Sequence, residues 1–224
     1  MPKHLRVKAN TTGRDFVIGD LHGMYTELKN QMKKVGFDEK HDRLFSVGDL
    51  IDRGKDSLSC LELLQESWFF AVCGNHEQMM IDSILGNDQL AGKIWYFNGG
   101  SWAEHVDDKL LKKLARQLKK LPWTIEVASP FADEKPIGIC HAEYPLHSWA
   151  QRNRVKAETF YHDLIWSRKQ ATQRHIRHVS GVQAIYCGHT IFAEPMQLGN
   201  CYFIDVGCFQ TGRLILKQLF QSAA

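Results

Sequence analysis

No run approaching the roughly 18 apolar residues of a bilayer-spanning helix occurs in the 224-residue chain, so no helical membrane span is expected. Paired thiols are missing as well. The six cysteines, Cys60, Cys73, Cys140, Cys187, Cys201 and Cys208, include no C-x-x-C pair and lie mostly inside apolar runs. That spacing argues against a structural zinc site and for reduced core side chains. Met1 to Arg14 carries basic residues without the apolar centre of a signal peptide, so a cytoplasmic location is expected. An excess of one charge is absent too. A formal charge of +3 gives no reason to expect nucleic acid or a membrane surface as partner. Low-complexity tracts and long internal repeats are not found.

What is present suits one α/β domain over residues 1–224, with 44% hydrophobic and 24% charged residues. Three short apolar runs each lead into a Gly-initiated polar turn. Phe16-Val17-Ile18 precedes Gly19-Asp20-Leu21-His22-Gly23, and Leu44-Phe45-Ser46-Val47 precedes Gly48-Asp49-Leu50-Ile51-Asp52-Arg53-Gly54. Phe69 to Cys73 precedes Gly74-Asn75-His76-Glu77. Short apolar runs read as buried strands, and polar groups just past their carboxyl ends fall where open α/β sheets hold ligands.

Helical spacing follows each turn, over Tyr25 to Val35, Ser57 to Glu66 and about Glu77 to Leu85. Strands alternating with helices predict a parallel or mixed sheet. Trp95, Phe97 and Trp102 around Asn98-Gly99-Gly100-Ser101 predict a loop between helices. Leu110, Leu111, Leu114, Leu118 and Leu121 form a stripe expected to face the core, with lysines and Arg116 on a solvated face and Pro122 as the stop. The remainder is β-rich, with strands expected over Trp123–Ala128, Ile137–Cys140, Ala184–Cys187, Cys201–Ile204 and Leu214–Leu219. Two of these lead into His141 and His189.

Asp20, His22, Asp49, Asn75, His141 and His189 thus gather at strand ends, and together they make a metal-ligand inventory. Carboxylate, imidazole and amide oxygen suit manganese, iron or zinc. Six donors exceed the need of one ion with open positions, and a shared Asp49 would bridge two ions about 3.5–4 Å apart. His76 begins a His-Glu pair, but Met80 stands where an H-E-x-x-H protease needs its second histidine. His76 therefore reads as an acid held by Asp52. Arg53 and Arg168 are candidates to fork onto anionic oxygens.

G-D-L-H-G at 19–23, G-D-L-I-D-R-G at 48–54 and G-N-H-E at 74–77, with His141 and Gly188-His189, resemble the signature of the metal-dependent serine/threonine protein phosphatases of the PPP class. His141-Ala142-Glu143-Tyr144-Pro145 and Ile165-Trp166-Ser167-Arg168 are similar to the bacterial and bacteriophage λ branch. The resemblance implies a calcineurin-like metallophosphoesterase fold, two packed mixed β-sheets flanked by helices, in the α/β (α+β) class. It implies a first ion on Asp20, His22 and Asp49 and a second on Asp49, Asn75, His141 and His189, with Mn2+ the usual activator. The expected reaction is hydrolysis of phosphoserine and phosphothreonine in phosphoprotein substrates, with phosphotyrosine as a further candidate, by a hydroxide bridging two ions. His76 would protonate the leaving oxygen, and Arg53 and Arg168 would bind the phosphoryl group. Met24 and Val206 depart from the branch, where Cys and Thr are common, and neither is a ligand. A dinucleoside polyphosphate hydrolase of the same fold is the alternative; a nuclease and a non-catalytic phosphoprotein-binding module rank below it.

Overall fold

The computed structural model describes residues 3–86, 88–155 and 158–221. Its chain forms β1 (His4–Val7), β2 (Asp15–Ile18), α1 (Tyr25–Lys34), β3 (Arg43–Ser46), α2 (Ser57–Glu62), β4 (Phe69–Ala71), α3 (Asn75–Gly86), α4 (Gln89–Phe97) and α5 (Asp108–Leu118). Then come β5 (Thr124–Val127), β6 (Ile137–Ile139), α6 (Glu158–Trp166), α7 (Lys169–Thr172), β7 (Ala184–Cys187), β8 (Met196–Leu198), β9 (Cys201–Phe203), α8 (Cys208–Thr211) and β10 (Leu216–Gln218). Single 3-10 turns follow α2, α4 and β6, at Leu63–Gln65, Gly100–His105 and Trp149–Asn153.

Two mixed sheets result, one ordered β10-β2-β3-β4 and the other β1-β5-β6-β7-β9-β8. β2, β3 and β4 are parallel with β10 antiparallel at one edge, and β6, β7 and β9 run parallel in the larger sheet. Alternation along the strands sorts side chains to two faces. Val17, Phe45, Val47 and Val72 pack between the sheets against Ile125, Val127, Ile139 and Tyr186. Phe16, Ile18 and Leu44 instead meet Leu28, Met32, Leu61, Met80 and Leu118 from the helices. Each such fully buried side chain stabilises the fold by about 1.5–3 kcal/mol. Cys140, Ile185, Cys187 and Phe203 carry the outer face of the larger sheet, under Trp149, Phe160 and Leu164.

All six cysteines are free and buried, as their apolar setting predicts. α5 also follows the expected stripe, with one correction: Leu110 is 39% exposed, and Leu111, Ala115 and Leu118 make the buried face. Asp107 caps this helix by accepting the N–H groups of Lys109 and Leu110, a contribution of about 1 kcal/mol. The expected helix 57–66 divides at Leu63, where a 3-10 turn begins, and α3 starts at Asn75 rather than Glu77. β1 and β8 have no counterpart in the sequence reading. Among the described residues no helix is long and apolar enough to cross a membrane.

Candidate metal centre and active site

Six strands deliver the polar cluster. Asp20 and His22 follow β2, Asp49 follows β3, Asn75 follows β4, His141 follows β6, His189 follows β7, and Asp205 follows β9. All seven are buried. The turns that carry them are stitched together by backbone: the N–H groups of Leu21 and His22 donate to the carbonyl of Asp49 at 3.0 and 2.8 Å. Glu77, fully buried at the start of α3, accepts the N–H groups of Asp49, Leu50 and Gly74, each at 2.8 Å. One carboxylate therefore joins the second and third turns. Close approach explains two glycines. A Cβ at Gly48, where φ is +99°, would lie 2.9 Å from the Gly74 nitrogen, and one at Gly74 would collide with the Asp49 carboxylate and nitrogen.

Backbone strain concentrates here. Six described non-glycine residues have positive φ, and five of them are His22, Asp49, Asp52, Arg53 and His189. Such conformations cost of order 1–3 kcal/mol each and persist where surroundings impose them.

Asp49 lies between two donor sets. Its Oδ2 is 3.5 Å from His22 Nε2, and its Oδ1 is 3.4 Å from His141 Nε2. Potential ligand atoms of Asp49, His141 and His189 lie within 4.8 Å of one another, as do those of His22, Asp49 and His76. His76 joins His22 and Asp49 in the second of these groups, and the Asp20 carboxylate, facing the same pocket, accepts the His189 N–H at 3.0 Å. His22 Nδ1 contacts the Ile51 carbonyl at 2.9 Å and His141 Nδ1 the Val47 carbonyl at 2.8 Å. Donation there leaves each Nε2 lone pair directed into the cluster, the arrangement that metal-binding histidines adopt.

The donor chemistry fits cations. Asn75 Oδ1 is 2.8 Å from His141 Nε2 and 2.9 Å from His189 Nδ1, while His189 Nε2 faces the Trp166 carbonyl at 3.2 Å. With both imidazoles neutral, three lone pairs converge for a cation to satisfy. In the ion-free chain burial would lower His141, but the Asp49 carboxylate raises it, and a protonated Nε2 can donate to Asn75 Oδ1 instead. Charge is arranged accordingly. Burial, then the Asp205 and Asp49 carboxylates, push Asp20 well above the usual carboxylate range. Burial would also raise Asp49, but His141, His76 and His22 carry it well below that range. Burial lowers His22 and His189 to about 3, so both are neutral near pH 7, the ligating form.

Beside the cluster, His76 Nδ1 meets Asp52 Oδ2 at 2.6 Å, both groups nearly inaccessible to solvent. Arg53 points Nη1 at His22 Nε2, 2.7 Å away, and Nη2 at His76 Nε2, 3.0 Å away. Its guanidinium lies 4.6 Å above the Phe209 ring, which also meets His22 edge-on. Arg168 is exposed between α6 and α7 and donates from Nη1 to the His189 carbonyl at 2.7 Å, so it rests against the loop that carries a candidate ligand.

Sequence reasoning missed Asp205, Glu77, Phe209 and the indoles of Trp95 and Trp102, both of which donate to Asp52. For Asp205 a signal existed: Cys201–Ile204 followed by Asp205 repeats the strand-then-acid pattern.

Two mixed sheets with strand-end carboxylates, imidazoles and an amide define a metallophosphoesterase, and a calcineurin-like phosphoesterase family model matches residues 16–199. The chain belongs to that family, in its branch of bacterial serine/threonine protein phosphatases. It is 35% identical to serine/threonine-protein phosphatase 1 of Salmonella typhimurium, covering 96% of this chain and 95% of that protein. A bis(5'-nucleosyl)-tetraphosphatase of Anoxybacillus flavithermus is 29% identical over 88% of this chain and 87% of its own. A solved serine/threonine phosphatase from Saccharomyces cerevisiae superposes with a TM-score of 0.63 at 16% identity, over 91% of this chain and 71% of that one.

Proposed function

We propose that the chain is a protein phosphatase that hydrolyses phosphoserine and phosphothreonine monoesters in phosphoprotein substrates, acting in the cytoplasm as one domain over residues 1–224. The observation that carries this reading is the Asp49 carboxylate, whose two oxygens face separate imidazoles at 3.4 and 3.5 Å, with the His76–Asp52 pair alongside. Asp20, His22 and Asp49 would hold one divalent ion, and Asp49, Asn75, His141 and His189 the other, manganese being favoured by the resemblance to the bacterial branch. Bound there, the ions supply an activated water and neutralise phosphoryl oxygens.

The protein's own groups do the rest. Arg53, hinged beside both imidazoles, forks onto phosphoryl oxygens, and its departure from His76 leaves Nε2 facing the pocket. Arg168 joins from the α6–α7 junction, held against the His189 carbonyl. His76 donates its Nε2 proton to the departing oxygen, while Asp52 accepts Nδ1–H and holds the ring in line. General-acid help of this kind contributes about 10²–10⁴-fold. It matters most for alkoxide leaving groups and least for phenolates.

The test is a panel of phosphoserine, phosphothreonine and phosphotyrosine peptides with diadenosine tetraphosphate, assayed under manganese, iron and zinc ions. Turnover of the peptides with little on the dinucleotide supports the reading; the reverse favours the dinucleoside polyphosphate hydrolase, to which the 29%-identical relative points. Within the panel, His76→Asn is expected to lose far more activity on phosphoserine peptide than on an aryl phosphate, with metal content unchanged. Equal losses would remove the acid role, and a lost ion would make His76 a ligand.

A further inference from the structure

The excursion formed by α4 and the 3-10 turn at Gly100–His105 contributes neither a strand nor a metal donor, yet it ends on the acid's partner. Asp52 is wholly buried at a φ of 75°. Its Oδ1 accepts the Trp102 indole N–H at 2.7 Å, and the Trp95 N–H lies 2.9 and 3.1 Å from its two oxygens. The two indoles stand edge to face, 6.1 Å between centroids at 88°. The sequence between them is built for this approach. A Cβ at Gly100 would lie 2.7–2.9 Å from three atoms of the Trp95 indole, and the carbonyl of Gly99, at φ +113°, accepts the Arg53 N–H at 3.3 Å.

A buried carboxylate is costly unless its oxygens are hydrogen-bonded. Lysine or arginine would satisfy it but bring charge and mobile side chains. An indole N–H is a rigid, neutral donor that accepts nothing. It can fix an oxygen in place without competing for the imidazole proton. We propose that Trp95 and Trp102 are positioning residues that clamp the Asp52 carboxylate, so that Oδ2 is held for His76 Nδ1 and the imidazole is kept aligned with the leaving oxygen. The excursion that carries both indoles, and holds Arg53 through Gly99, thereby sets the geometry of proton donation. This inference rests on the phosphomonoesterase reading for its chemistry, but the clamp itself is a structural claim.

Two measurements decide it. In Trp102→Phe and Trp95→Phe an aromatic ring remains, though a smaller one, and the N–H is removed. Each is expected to lower kcat on phosphoserine peptide about tenfold, a part of the ~10²–10⁴ from a general acid, with a loss several times smaller on an aryl phosphate and with KM and metal content held, while the melting temperature falls because a buried carboxylate has lost a donor. Because the indoles act through the carboxylate, Trp102→Phe added to Asp52→Asn should cause no further loss. Equal losses on both substrates, or effects that multiply with Asp52→Asn, overturn the proposal. Trp102 is less buried than Trp95, so its variant serves if Trp95→Phe fails to fold. The second measurement needs no turnover: the indole N–H resonances of Trp95 and Trp102 should be shifted downfield and slow to exchange in the wild-type chain, as should that of Trp149, which donates to Glu126. The Trp95 and Trp102 pair alone should lose both features in Asp52→Ala, which leaves no acceptor. Unchanged indole resonances refute the clamp. A wild-type chain inactive on both phosphomonoesters refutes the functional reading, and the resonances then still decide the clamp.

Discussion

Asp20, Asp49 and Asp205 share one pocket at about 2% exposure each, an arrangement that a chain without cations tolerates badly. Burial first, then neighbouring carboxylates, push Asp20 and Asp205 upward. With folded values raised above the unfolded ones, the stability each contributes is present at low pH and is lost as pH rises through the folded value. At neutral pH these acids weigh on the ion-free fold. Asp20→Asn is therefore expected to raise the melting temperature of chelator-treated protein, by about 0.5–2 kcal/mol in stability, and to shrink the rise that follows manganese addition. A lower ion-free melting temperature would mean that the His189 N–H bonds to Asp20 outweigh the repulsion. The candidate cluster was legible because each of its polar side chains follows a strand with a fixed local pattern. Glu77 was not, since its role is to accept two N–H groups from the Asp49 turn beside one from its own, and nothing in Gly74-Asn75-His76-Glu77 announces a partner 28 residues away. The indoles were hidden for the same reason: 43 and 50 residues separate Trp95 and Trp102 from Asp52.

Strands and helices with a strong period were readable, and those whose pairing comes from elsewhere were not. β2, β3 and β7 are apolar enough to stand out, whereas His4-Leu5-Arg6-Val7 looks like a basic tail until β5 gives it a parallel partner. β8 is only three residues long and is held by β9. α3 begins two residues early because Asn75 and His76 are themselves helical, a detail no periodicity reveals. β1 supports a test at its own scale. His4 is half-buried, with Nδ1 2.9 Å from Thr124 Oγ1, and burial, then Arg152 and Lys3, lower it to about 4. Between pH 6.5 and about 4 the unfolded chain binds a proton that the folded chain resists, so stability falls as pH drops through that window. His4→Gln should flatten that part of the curve. Melting temperatures at pH 7 and 4.5 for both chains give the comparison, and parallel declines would show that β1 opens to solvate the imidazole.

The two sheets meet at the cluster, and that makes the site a property of the whole molecule. Asp20, His22, Asp49 and Asn75 come from the four-stranded sheet, and His141 and His189 from the six-stranded one. Ions held by both groups would tie the sheets together across the core that Val17, Phe45 and Ile139 share. Since an ordered site is absent from the unfolded chain, ion binding adds stability by linkage, about 2.7 kcal/mol at a ligand concentration 100 times Kd. For a chain of this size each kcal/mol moves the melting temperature by roughly 2–4 °C, so saturating manganese should raise it by about 5–11 °C over chelated protein. The sharing of Asp49 predicts an unequal response among variants. His189→Asn removes a donor from one set and should leave about one ion per chain with part of the shift. Asp49→Asn takes charge from both sets and should leave almost no ion and almost no shift, although it changes fewer atoms. Elemental analysis beside thermal melts measures both quantities. Matching losses in the two variants would mean that Asp49 serves one ion, and a wild-type chain with no manganese-dependent shift would remove the two-ion centre altogether.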